Sequence, residues 1–183
     1  MSLTLSQVTE LLQQHGEKQY GMEAVNQLEH ALQCADLAEK AGETAETIVA
    51  ALLHDFGHML AAHGLGQLEI DTRKDDLHQF IALPFLRGLF NEAVLEPIRM
   101  HVDAKRYLCL IDPGYWADLS PASKHSLEQQ GGIFDESQAQ NFIVQPFAEE
   151  AVRLRRYDDL AKVKDKHVPN LAHYNAHLQQ ACL

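Results

Sequence analysis

The chain has 183 residues, 46% of them hydrophobic and 22% charged. This is the composition of one ordinary globular domain rather than a disordered or fibrous chain. Lys and Arg number 15 against 26 Asp and Glu, a net charge of −11, which argues against nucleic acid and anionic membrane as partners because phosphate contacts need clustered cations.

The apolar spacing is helical along the chain and nowhere alternates at period two for long, so an all-α fold in a single domain, residues 1–183, is expected. A first helix is predicted over 5–15, with Thr4 and Gln7 placed as a capping box. A second is predicted over 22–41. Val25, Leu28, Leu32 and Ala35 form its apolar stripe, Glu23, Gln27 and His30 share another side, and Gly42 closes it. A third, over 45–60 after Thr44, is apolar almost all round and reads as the central buried helix. Gly64 and Gly66 open a polar loop to about Lys74. A fourth helix is predicted over 75–90 with a kink at Pro84, and a fifth from Asn91 to about Leu108 with a bend at Pro97. Ser120-Pro121 starts another, ended by Gly131-Gly132. Two more are predicted, over 146–160 and after Pro169-Asn170. The bundle is expected to form around the second, third and fifth helices.

The longest apolar run, Ile48–Leu53, is six residues, far short of the roughly twenty that span a bilayer. The start Met1-Ser2-Leu3-Thr4 has neither the basic nor the apolar part of a signal peptide. Cys34, Cys109 and Cys182 are odd in number and far apart, with no CxxC pair. A reduced, cytoplasmic protein without disulfides is expected. The unusual count is 11 histidines, for which metal binding is the leading reason.

The predicted central helix contains His54-Asp55 and then His58. Burying such groups without partners costs several kcal/mol. Neighbours on a helix point about 100° apart, so both side chains of the pair reach one ion only at a helix edge. His30 lies on the preceding helix, His78 and His101 on the next two, and Asp158 near the end of the helix over 146–160. Four histidines and two carboxylates supply six ligands, enough for two metal ions bridged by an Asp. Imidazole with carboxylate suits iron, manganese or zinc, and the lack of cysteine ligands disfavours iron–sulfur clusters and structural zinc.

That order of ligands resembles the dinuclear form of the HD-domain superfamily. The segments Asn26-Gln27-Leu28-Glu29-His30, Ala50-Ala51-Leu52-Leu53-His54-Asp55-Phe56-Gly57-His58, His101-Val102-Asp103-Ala104-Lys105-Arg106-Tyr107-Leu108 and Leu127-Glu128-Gln129-Gln130-Gly131-Gly132 resemble one small group within it, the PhnZ/TmpB group. These are HD-domain mixed-valence diiron oxygenases that cleave carbon–phosphorus bonds, and the likeness runs from about Tyr20 to Tyr174. The resemblance implies an HD-domain helical bundle with a dinuclear site in its core. It implies two iron ions, Fe(II)/Fe(III), with O2 as co-substrate. His30, His54, Asp55, His78, His101 and Asp158 would be the ligands, with Asp55 bridging. Tyr20 and Glu23 match a pair that covers one iron at rest, the tyrosine leaving when substrate binds. Lys105, Ser123 and Arg155 match residues that hold a phosphonate, and His58 a histidine beside the oxygen site. The implied substrate is a 1-hydroxy-2-(amino or trimethylammonio)ethylphosphonate, cleaved to phosphate and glycine or glycine betaine.

The residues support several of these roles independently. Lys105 follows His101 by four and so shares its helix face, and Arg155 precedes Asp158 by three. Arginine offers a planar fork suited to a phosphonate. Residues 151–166 hold Arg153, Arg155, Arg156, Lys162, Lys164 and Lys166 against three Asp, a basic element in an acidic protein. A small anionic substrate is therefore expected, bound by a monomer or weak homo-oligomer.

The loop from Met59 to Leu77 departs from the aminophosphonate pattern, carrying Glu69, Asp71, Asp75 and Asp76 in place of aromatic and Gly-rich sequence. The inclination is toward an N-methylated substrate. His63, His125, His167, His173 and His177 take no assigned role and are expected mostly at the surface. The main alternative is an HD-type metal-dependent phosphohydrolase. An oxygenase of the inositol type, on a neutral polyol, and a metal-stabilised helical sensor are the others.

Overall fold

The computed structural model describes residues 2–20, 23–62 and 77–183. Helix α1, Leu5–His15, starts at the expected capping box: the Gln7 amide donates to the Thr4 hydroxyl at 3.3 Å, and the Thr4 amide to the Gln7 side chain at 2.8 Å. Helix α2, Gln27–Lys40, starts five residues later than expected. Asn26 is its true cap, boxed with Glu29. The chain before it turns back, Gln19 bridging Asn26 and the Tyr20 amide donating to the Val25 carbonyl at 3.1 Å. Glu23 therefore sits in a tight loop, off the helical stripe assigned to it. Gly42 ends the helix at φ 75°, as expected.

The helix predicted over 45–60 is two: α3, Ala45–Leu53, and α4, Phe56–Ala62, broken at His54-Asp55. Beyond Leu77, the region of the predicted fourth helix holds α5, His78–Ile81, and α6, Leu83–Leu86. Pro84 sits in the first turn of α6, where its missing N–H costs nothing, rather than kinking one long helix. Helix α7, Glu92–Ile111, runs through Pro97 and three residues past the expected end. Helix α8, Tyr115–Asp118, was not foreseen. Ser120 caps α9, Pro121–Gln129, as expected. Helix α10, Glu136–Ile143, was missed although Asp135 and Gln138 form a capping box. Helix α11 is Ala148–Leu160, and a 3-10 turn, Leu171–Tyr174, leads into α12, Asn175–Ala181. No strand occurs among the described residues.

Helix α3 is the buried centre, every residue in it but Glu46 being buried. It packs against α2, α7 and α12. Helix α11 lies along α7 more extensively than any other pair, so the last long helix joins the three expected at the core. Leu52, Leu53, Phe56, Leu60, Ile98, Leu154 and Tyr174 fill the space between. Burying each such side chain stabilises the fold by about 1.5–3 kcal/mol, which offsets the cost of the polar groups the same core contains. Among the described residues no helix is long and apolar enough to cross a membrane.

Candidate metal centre

Five places in the bundle bring the six predicted ligands together. His30 comes from the first turn of α2, His54 and Asp55 from the break between α3 and α4, His78 from the start of α5, His101 from α7 and Asp158 from α11. All six are buried. The break after Leu53 matters because it aims two consecutive side chains into one space, which a continuous helix would splay apart. Gly57 then lets α5 approach. A Cβ on Gly57 would lie 2.0 Å from the His78 carbonyl oxygen, so only glycine admits His78 here.

Asp55 stands between two sets of imidazoles. Its Oδ2 lies 3.4 Å from His54 Nε2 and 3.7 Å from His30 Nε2. Its Oδ1 lies 3.1 Å from His78 Nε2, 3.7 Å from His101 Nε2 and 3.9 Å from His58 Nε2. Asp158 closes the first set, with Oδ1 3.4 Å from His30 Nε2. Asp55 Oδ2 and Asp158 Oδ1 have no hydrogen-bond partner although buried.

The protonation pattern says what belongs between them. His30 Nδ1 lies 2.9 Å from the Ala161 carbonyl and His54 Nδ1 2.9 Å from the Ala51 carbonyl. Carbonyls only accept, so both Nδ1 atoms carry hydrogen, which leaves Nε2 as the nitrogen each ring would offer to an ion when neutral. Those two Nε2 atoms face each other at 3.3 Å. Two imidazole Nε2 atoms converging beside two orphaned carboxylate oxygens make a site suited to cations, and backbone carbonyls behind the rings are the usual orienting partners of metal-bound histidine. His101 follows the same pattern, with Nδ1 2.7 Å from the Ile98 carbonyl. Burial, then His78 and His54, keep the His101 imidazole well below its usual range and so neutral. Asp55 and Asp158 are held well below the carboxylate range: burial opposes their charge, but the His54 charge for the first and Arg155 for the second outweigh it. The donor set fits two metal ions sharing Asp55.

The other predicted residues border one cavity of about 350 Å³ with four of these ligands, Asp55, His78, His101 and Asp158: Tyr20, Glu23, His58, Lys105, Ser123 and Arg155 all line it. Tyr20 stacks on His30, ring centroids 4.1 Å apart. Burial, then the charges of Asp55 and Asp158, raise its phenol well above the usual range. His58 stacks on His78 at 4.2 Å. Lys105 is buried and donates to Ser126 Oγ at 2.7 Å. Burial, then the Arg155 charge, lower its ammonium to about 7.

Arg155 is differently engaged from the expected open fork. One terminal nitrogen meets Asp158 Oδ2 at 2.6 Å, the other bonds Asp159, and Nε donates to the Tyr115 hydroxyl at 3.1 Å and to Asp159 at 3.2 Å. It braces a predicted metal ligand while lending its charge to the cavity.

Three neighbours escaped the sequence reading. Lys162, counted there only as part of a basic stretch, lines the cavity; its Nζ donates to Ser123 Oγ at 3.0 Å and pairs with Glu23 at 3.3 Å. Ser120 Oγ also donates to Glu23, at 2.6 Å. Cys34, excluded by the reading that no cysteine serves as ligand, lies buried with Sγ 3.6 Å from His30 Nε2. Its place four residues after His30 on one helix was the available signal. Of the histidines left without a role, His173 and His177 both bond Glu39 at 2.9 Å, His125 is exposed beside Gln129, and His167 is exposed. His63, Glu69, Asp71, Asp75 and Asp76 lie outside the described residues.

Residues 28–131 match the HD domain. The chain is 45% identical over 174 residues, 95% of its length and 85% of the relative's, to "Hydroxymethylphosphonate dioxygenase" of Gimesia maris. It is 35% identical over 170 residues, 93% of its length and 86% of the relative's, to "[1-hydroxy-2-(trimethylamino)ethyl]phosphonate dioxygenase (glycine-betaine-forming)" of Leisingera caerulea. The chain belongs to the HD-domain oxygenases of the PhnZ/TmpB group. A third relative, an uncharacterized protein of Acanthamoeba polyphaga mimivirus, is 34% identical over 173 residues, 91% of this chain and 76% of its own. As an HD-domain oxygenase the chain is a metal- and O2-dependent enzyme, and the break at His54-Asp55 is the motif that names the family.

Proposed function

We propose that this enzyme uses O2 and a mixed-valence Fe(II)/Fe(III) pair to cleave the carbon–phosphorus bond of a 1-hydroxyphosphonate. The observation that carries the reading is one cavity in which an anion bed, Lys105, Ser123 and Lys162, adjoins the two-sided Asp55. His30, His54, Asp55 and Asp158 would hold one ion, and Asp55, His78 and His101 the other. The metal pair, when bound, supplies Lewis acidity toward the C1 hydroxyl and the electrons that activate O2.

The chain's own groups do the rest. The Lys105 ammonium and the Ser123 hydroxyl take phosphonate oxygens, with Lys162 adding a second cation at the same hydroxyl. Arg155 keeps Asp158 ionised and oriented. Tyr20 covers the His30 side, so its displacement admits a second reactant. His58, on the opposite side of Asp55, borders the space where that reactant meets C1. Anchoring the anion fixes C1 against the ligand cluster, the positioning contribution.

Hydroxymethylphosphonate is the substrate we favour. Tyr20 is the only aromatic carbocycle lining the cavity among the described residues, and Glu23 is already paired with Lys162 and Ser120. A trimethylammonium group prefers several aromatic faces or an unpaired carboxylate. With this substrate the C–P bond breaks, C1 is oxidised, and substrate plus O2 balance as formate plus phosphate. The 2-amino and 2-trimethylammonio analogues would give glycine and glycine betaine. We place the enzyme in the cytoplasm, as a monomer or weak homo-oligomer.

The test is phosphate release from iron-loaded protein, with and without O2, on the three phosphonates. O2-dependent release, fastest from hydroxymethylphosphonate, is the expected result. O2-independent phosphoester cleavage with no release from any phosphonate would overturn it in favour of a phosphohydrolase.

A further inference from the structure

Tyr115 and Asp159 do not border the cavity, and the reaction above gives them no task. Both bond Arg155. Asp159 takes the guanidinium side-on, its Oδ2 accepting from Nε at 3.2 Å and its Oδ1 pairing with Nη2. The Tyr115 hydroxyl accepts from the same Nε at 3.1 Å and donates to Asp159 Oδ2. Arg155 and Tyr115 are buried, and Tyr115 packs with Leu108, Leu119 and Leu127 in a small core of its own. The clamp on the arginine is therefore anchored in α8 as well as in α11.

The clamp leaves Nη1 of Arg155 for Asp158, which it meets at Oδ2, 2.6 Å away. The other oxygen of Asp158, Oδ1, is buried without a partner 3.4 Å from His30 Nε2. A guanidinium and a carboxylate frequently pair fork to fork, with two parallel bonds that take both oxygens. Asp158 escapes that arrangement because Nη2 is already held by Asp159. One arginine is divided between two carboxylates, and one oxygen of the second stays available to an ion.

We propose that Tyr115 and Asp159 are positioning residues of the metal centre: by holding the Nε edge of Arg155 they stop it from taking both oxygens of Asp158, and so reserve Oδ1 for the ion on the His30 side. Tyr115 sets the angle of Asp159, Asp159 divides Arg155, and Arg155 leaves Asp158 half free. Partners behind a metal ligand tune its affinity without touching the ion. The inference rests on the metal centre of the proposed function and adds to it the device that keeps one of its carboxylates open.

The test is the Zn(II) affinity of metal-free full-length protein, measured by competition with a chromophoric chelator, beside the melting temperature of the same metal-free samples. Tyr115→Phe removes a hydroxyl and no charge. It should bind Zn(II) roughly tenfold or more weakly than the wild-type protein, and the volume-matched Asp159→Asn should do the same. The effect must pass through the arginine fork. Lysine keeps the charge but has one nitrogen and no fork to divide, so Tyr115→Phe made in an Arg155→Lys background should change Zn(II) affinity by less than about twofold. Unchanged Zn(II) affinity in Tyr115→Phe, with or without a lower melting temperature, would overturn the proposal and leave the metal centre standing: Tyr115 then only packs α8. An equal loss of affinity in the two backgrounds would overturn it too, because Tyr115 then acts without Arg155. Failure of the wild-type protein to take up Zn(II), Co(II) or iron would overturn the metal centre itself, and this inference with it.

Discussion

The backbone of His78 passes so close to Gly57 that a single added carbon would lie 2.0 Å from its carbonyl oxygen. The contact joins α4 to α5 and so fixes one predicted ligand relative to Asp55, two residues upstream. Gly57→Ala must therefore push His78 away from Asp55. Overpacking of this kind costs about 1–3 kcal/mol. The variant should melt lower and, by metal analysis after reconstitution, hold clearly less than two ions per chain. Full occupancy would show that α5 adapts freely.

Metal removal should be felt as instability. Ions that bind the folded chain at a hundred times their dissociation constant add about 2.7 kcal/mol, and for a chain of this size each kcal/mol moves the melting temperature by about 2–4 °C. Calorimetry with and without a chelator should show a fall of about 5–10 °C. Asp55→Ala should melt at the same temperature under both conditions.

Lys105 predicts a pH dependence of anion binding. Its ammonium titrates near 7, burial being the main cause. Below that pH the cation is present, and above it the buried amine is neutral. Sulfate, whose charge is constant over this range, should bind the metal-free protein progressively weaker from pH 6 to 9 by calorimetry, and Lys105→Met should bind it weakly throughout. Stability runs the other way. The folded pKa lies below the unfolded value of about 10.4, so the unfolded chain holds more protons between about 7 and 10.4. This group's share of stability rises with pH across that window and is missing below 7. Lys105→Met should flatten the rise.

Lys162 ties Glu23 to Ser123 across the cavity mouth. A hydrogen bond involving a charged group contributes about 1.5–3 kcal/mol, so Lys162→Met should raise KM for the phosphonate roughly tenfold or more in steady-state assays. It also leaves Glu23 without its cation. The ratio of kcat/KM for the 2-amino substrate to that for hydroxymethylphosphonate should therefore rise, and an unchanged ratio would remove Glu23 from substrate selection.

The ligand set was legible because each member is a polar residue in a position that helical periodicity buries. His54 and Asp55 follow the six-residue apolar run, and His101 lies on the long helix whose core face also carries Lys105. Caps with local signals were legible too, as at Thr4 and Asn91. What failed was tertiary. The turn that carries Glu23 depends on pairing of Gln19 with Asn26, which no periodicity encodes. Arg155 read as an open fork although Asp159, four residues on along α11, was a local partner in reach; its other partner, Tyr115, meets it only after α8 folds against α7. Lys162 follows the last turn of α11, so only the path of the chain beyond the helix brings it to Ser123.

Asp55 faces the two halves of the centre with different oxygens of one carboxylate. Rotating that group to suit an ion on the His30 side also sets the oxygen offered to the His78 side. Occupancy of the two halves is thereby thermodynamically linked, each ion preparing the donor that the other needs. Native mass spectra recorded during metal titration should contain empty and doubly loaded chains with few singly loaded ones, a steep response to supply that leaves little half-assembled catalyst exposed to oxygen.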